Sequence, residues 1–184
     1  MLTTEIKGNR YSRQSILGML LIVVPFFANG AAPLRSVDYV DLERFMGRWY
    51  VIACIPTLIE RNIFNAVETY RLNKNGTIAT TFAFQKGGFD GPRREFHPRG
   101  FVQDKDTNAI WGMQFFWPLK ADYRIIHVDS NYTNTIIGRK KRDYVWVMSR
   151  EPKLDSTTYQ TLVNKIAAAG YDIDDLILIP QRWP

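Results

Sequence analysis

Hydrophobic and polar residues alternate in short runs over most of the chain. The runs are WYVIACIP (49–56), AVETYRL (66–72), TIATTFAFQ (77–85), EFHPRGFVQD (95–104), AIWGMQFFW (109–117), DYRIIHVD (122–129), YTNTIIGR (132–139) and DYVWVMSR (143–150). NKNG at 73–76, GGFDGP at 87–92 and DKDTN at 104–108 supply turn residues between them. A period of two, with many β-branched and aromatic side chains, predicts eight strands. No helical segments alternate with them, which argues against a parallel sheet. An up-and-down barrel and a sandwich both fit. The period changes at 154–170, where Leu162, Ile166 and Ala169 form a helical stripe. Asp155 or Ser156 can cap this helix and Gly170 can end it. DLILIP (175–180) predicts a short ninth strand.

The same period sorts side chains by face. Tyr144, Trp146, Met148 and Arg150 share one face, as do Trp111, Met113, Phe115 and Trp117. Ile78, Thr80, Phe82 and Phe84 form another set, then Tyr123, Ile125 and His127, then Glu68 and Tyr70. If Trp49 points inward, so do Val51, Ala53 and Ile55, and Cys54 points outward. A bulge would reverse the phase beyond it. An eight-stranded barrel can enclose one small ligand. The expected ligand-facing residues are Tyr70, Phe82, Met113, Phe115, Tyr123, Tyr144, Trp146 and Met148. Periodicity equally allows these side chains to fill a solid core.

Residues 1–30 read differently. Lys7, Arg10 and Arg13 precede the uncharged run ILGMLLIVVPFFA (16–28), and the small residues NGAA follow. This is the pattern of a secretory signal peptide, leaving 31–184 as a single domain. The run is shorter than the roughly 20 residues that span a bilayer. No cysteine follows it, so lipid acylation is not expected, and the predicted destination is the periplasm or the exterior.

Net charge is +6, and three basic and one acidic residue before position 31 leave +4 for the rest. The one basic cluster is Arg139, Lys140, Lys141 and Arg142. No stacking-aromatic motif accompanies it, so it reads as a solvated turn and not as a nucleic-acid site. Peripheral contact with a membrane stays open, as does a homodimer. Cys54 is the sole cysteine, so no intrachain disulfide can form. His97 and His127 lie in separate runs without carboxylates or thiols at ligand spacing, and neither a metal nor another cofactor is expected. No Ser-His-Asp spacing, phosphate loop or dinucleotide fingerprint is present. The chain is therefore read as a binder and not as an enzyme. Glu68 should lie near a cavity mouth or beside a base, or else its assigned face is wrong, because an unpaired buried charge is costly.

Several motifs resemble one family. Gly47-x-Trp49-Tyr50 opens the first strand after the lead-in DYVDLERFM, and the pair Glu60-Arg61 follows that strand. Asp129 and Tyr132 sit between the sixth and seventh strands, and YVWVMSR ends at Arg150. Over about residues 37–182 this resembles the lipocalins, and within them the bacterial and apolipoprotein D-like group. Val128 stands where a threonine usually precedes the aspartate. The resemblance implies an all-β fold: an eight-stranded antiparallel up-and-down β-barrel with a C-terminal helix and a short ninth strand. It implies that Trp49 plugs the closed end with Arg150 packed across its indole. It also implies a fatty acid or lysophospholipid ligand and a role in cell-envelope maintenance. Two alternatives stay open. One is a lipocalin-fold enzyme acting on a lipid or isoprenoid through His127, Tyr144 or Glu68. The other is a pigment or tetrapyrrole binder.

Overall fold

A computed structural model describes residues 32–183. The leader read from residues 1–30 lies outside the described residues. The strands are β1 (Gly47–Ile55), β2 (Ile63–Leu72), β3 (Thr77–Lys86), β4 (Arg93–Phe96), β5 (Arg99–Val102), β6 (Ile110–Phe116), β7 (Leu119–Val128), β8 (Asn134–Gly138), β9 (Val145–Ser149) and β10 (Ile177–Leu178). Two helices, α1 (Leu42–Phe45) and α2 (Ser156–Ala168), precede and follow the main set.

Each strand pairs antiparallel with its neighbour, and β9 pairs back onto β1. This closes the sheet and removes its edges. β4 and β5 both pair with β3 and together fill one wall position, so the barrel has eight walls. The run 95–104 was expected as one strand. It breaks at His97–Pro98, because proline has no N–H to give to a ladder. The expected ninth strand at 175–180 shrinks to Ile177–Leu178, which pairs with Ala53 and Cys54 beyond the reach of β2.

Alternation divides the wall into two cores. The inner one gathers Trp49, Val51, Tyr70, Ile78, Phe82, Phe84, Trp111, Met113, Tyr123, Ile125 and Met148. The outer one places Ile52, Ala53, Ile55, Ile136, Val145 and Val147 under Leu162 and Ile166 of α2. The Asp155 side chain caps α2, and Gly170 follows its end at φ +85°.

Two bulges correct the sequence-derived faces. The β1–β9 register shifts between Val51 and Ala53. Ala53 and Ile55 therefore face outward under α2, and Cys54 faces into the barrel. A second shift lies between Ile125 and His127 on β7. It turns His127 to the outer surface, beside Ile126, Arg142 and Lys165. Burial, and then the charge of Lys165, hold its imidazole below the usual pKa. Trp117 also leaves its expected face. β6 ends at Phe116, and Trp117 sits in the turn before β7, 87% exposed.

Candidate functional site

One end of the barrel is sealed. Trp49 is fully buried, and its Nε1 donates to the Phe45 carbonyl at 2.8 Å. Phe45 comes from α1, which Asp41 caps by accepting from the Arg44 N–H. The Arg150 guanidinium lies 3.7 Å from the Trp49 ring. It also donates to the carbonyls of Arg44, Phe45, Met46, Arg48 and Tyr132 at 2.7–3.2 Å. One planar cation thus satisfies the carbonyls of the lead-in while stacking on an indole. Gly47 is required here. Its φ is +95°, and a Cβ would stand 3.3 Å from an Arg150 nitrogen. Tyr132 accepts from the Asp41 N–H at 2.8 Å, and Arg44 packs over its ring.

Asp129 shapes the adjoining turn by accepting from the backbone and side chains of Thr133 and Asn134 at 2.7–2.9 Å. Partial burial opposes its ionisation, yet these hydrogen bonds hold its pKa below the ordinary value.

The other end is open. A cavity of about 410 Å³ lies inside the barrel beneath the β1–β2 loop and the β6–β7 and β8–β9 turns. This is within the size range of small-molecule sites. Six of the eight expected ligand-facing residues line it: Phe82, Met113, Phe115, Tyr123, Tyr144 and Trp146. The other two are buried in the inner core without lining the cavity. Of these, Tyr70 bonds its hydroxyl to that of Tyr123 at 2.7 Å, and Met148 pairs across to Val51.

Polar groups complete the lining, and of these only Glu68 was placed by the alternation of the sequence. Glu60 folds inward from the mouth loop. Its Oε1 accepts from Trp146 Nε1 at 3.0 Å, and its Oε2 accepts from the Thr57 N–H at 2.7 Å and from the Thr57 hydroxyl. The Glu60-Arg61 and YVWVMSR motifs therefore meet inside the barrel. Glu68 lines the cavity from β2, with Oε2 buried and without a hydrogen-bond partner. Burial and the Glu60 charge push its carboxyl up to about 8. The alternation that paired it with Tyr70 was the signal for its inward face. At the mouth, Arg139 pairs with Asp143 at 3.2 Å and leaves its buried Nε unpartnered. The basic cluster had suggested only a solvated turn.

The mouth is also ringed by exposed apolar side chains. Leu58 is 78% exposed, Phe116 73% and Leu119 75%, and Trp117 stands beside them. The register shift between Met113 and Phe116 brings both Phe115 and Phe116 to the cavity.

A family model described as a Lipocalin-like domain matches residues 40–181. The chain is 33% identical to temperature-induced lipocalin-1 of Arabidopsis thaliana over 160 residues, covering 80% of this chain and 83% of that one. It is 26% identical to the outer membrane lipoprotein Blc of Escherichia coli K12 over 155 residues, covering 81% and 85%. Its fold is similar to that of insecticyanin from the tobacco hornworm Manduca sexta. The TM-score is 0.63 at 15% identity, covering 79% and 83%.

Proposed function

The chain belongs to the lipocalin family, whose members bind small hydrophobic ligands, and we propose that its own ligand is a fatty acid or a lysophospholipid held by its acyl chain. The observation that carries this reading is the apolar cavity with the unpartnered Arg139 Nε at its mouth. Each buried methylene contributes roughly 0.8 kcal/mol. A carboxylate or phosphate left at the mouth meets Arg139, whose planar donors suit either group.

A binding role also fits the state of the cavity thiol. Cys54 faces inward, but burial and the Glu60 charge push its pKa up, and a neutral thiol is a poor nucleophile.

Titration of delipidated protein with a C16–C18 fatty acid and with lysophospholipid, read by tryptophan fluorescence, tests the proposal. At least one should bind with Kd below about 100 μM, equivalent to about 5.5 kcal/mol. If neither does, the ligand class is wrong.

The apolar rim supports a contact with the membrane that supplies such a ligand. Leu58, Phe116, Trp117 and Leu119 project around the mouth, and the exposed Lys140 and Lys141 sit in the neighbouring turn. This combination of apolar tips and cations suits an anionic bilayer surface. Sedimentation with phosphatidylglycerol vesicles should retain the protein, and Trp117→Ser should release it severalfold. A protein that stays in the supernatant, with Trp117 buried in a concentration-dependent dimer, would contradict the membrane contact.

A further inference from the structure

Glu68 stands opposite Trp49 on β1 and Phe82 on β3, facing into the barrel. Among the described residues its surroundings offer no free base. Tyr123 borders the same cavity, but its hydroxyl is already engaged with that of Tyr70. Arg139 is the one cation among the residues lining the cavity, and it is paired with Asp143 at the mouth. The group that Glu68 feels most closely is another carboxyl, Glu60. Glu60 is held in place by the Trp146 and Thr57 donors. An apolar cup thus carries three acidic groups on its wall: Asp122 at the mouth, already paired with Arg124, and Glu60 and Glu68, the last with a buried oxygen that nothing among the described residues satisfies.

We propose that the cavity also admits an aliphatic primary amine, bound ammonium-first against Glu68 with Glu60 as the second acceptor and the chain running out to the apolar mouth. This rests on the reading that the cavity holds an aliphatic chain. An ammonium brings three donors and no acceptor, which complements acceptors left unfilled. The charge also balances. Glu68 is protonated in the empty site at neutral pH because burial and Glu60 raise it to about 8. When the ammonium enters, the Glu68 proton leaves to solvent. One positive charge replaces another, so the buried site keeps its net charge while a neutral acid becomes a paired carboxylate. A fatty acid carboxylate at the same depth would instead face two acidic groups. It must sit with its head at Arg139, so the two classes of amphiphile bind in opposite orientations.

Calorimetric titration of delipidated protein with decylamine and with decanoate, in buffers of different ionisation enthalpy, tests the inference. Near pH 7, decylamine should bind with release of about one proton, and decanoate with none. Amine affinity should rise as pH passes through about 8, where the proton no longer has to be displaced. The groups facing Glu68 are Glu60 and Tyr123, with Cys54 across from Trp146, and Asp122 and Arg139 at the mouth. The Tyr123 hydroxyl, like the Cys54 thiol, is pushed upward by burial and so stays neutral through this window. Glu68→Gln should lower the ratio of amine to decanoate affinity at least tenfold. Decanoate binding without amine binding, amine binding without proton release, or an unchanged ratio in Glu68→Gln would each overturn the inference alone. Failure of both ligands to bind would overturn the aliphatic-chain reading beneath it. The proton count is read on the unaltered protein and does not depend on the variant folding.

Discussion

Glu68 shows what a single side chain contributes and what it costs. A carboxyl whose pKa is raised on folding is easier to protonate in the native state than in the unfolded chain. Between its ordinary value near 4.5 and about 8, the native protein therefore holds a proton that the unfolded chain has lost. Stability contributed by the neutral form is fully present below that window and is lost as pH rises through it. The loss is on the order of a few kcal/mol. Urea midpoints measured across this range should fall with pH for the native sequence, and Glu68→Gln should flatten the slope and raise stability at alkaline pH. Parallel slopes for the two proteins would show that the carboxyl is solvated. At this scale the sequence was only partly legible. Alternation put Glu68 beside Tyr70 on the inner face, but nothing local revealed that no base would meet it. Its environment is built by residues on other elements, Glu60 of the preceding loop, Phe82 of β3 and Tyr123 of β7.

At the scale of elements, the strands and α2 were legible because their hydrophobic periods are strong. Two of the misplacements arise from single extra residues. Cys54 and His127 each lie just past a bulge, and one unpaired residue reverses every face beyond it. Composition carries no mark of such a bulge, since it is set by how neighbouring strands must twist to close a barrel. The sealed end was legible for another reason. The lead-in, β1 and β9 supply Gly47, Trp49 and Arg150 within recognisable motifs, and the geometry brings them into contact. Trp49→Ala should cost about 3–5 kcal/mol, as large-to-small changes in cores do. Arg150→Ala should also destabilise, by stripping five carbonyls of a donor. Denaturant unfolding of both variants and the double variant should show losses that do not add, with a coupling above about 0.5 kcal/mol. Strict additivity would mean that the stacking contributes nothing.

The whole molecule is a barrel with unlike ends. The sealed end spends the Arg150 guanidinium and the Trp49 N–H on lead-in carbonyls, whereas the open end leaves Glu68 and Arg139 atoms unpartnered among the described residues around an apolar volume. Eight wall positions around a small interior explain why there is room for one ligand and no channel. The barrel and its closure followed from motifs and element order. The cavity's polar chemistry did not, because Glu60 reaches it from a loop and Arg139 from a turn, where alternation says nothing about direction. The claim on which the rest depends is that the inner face around Trp146 holds an acyl chain. Trp146→Arg places a long cation there at a high desolvation cost and removes the donor to Glu60. The direct measurement is the affinity of this variant, shown folded by circular dichroism, for a C16–C18 fatty acid beside that of the unaltered protein. A loss of tenfold or more, about 1.4 kcal/mol, is predicted. Equal affinity would place the acyl chain somewhere other than the barrel.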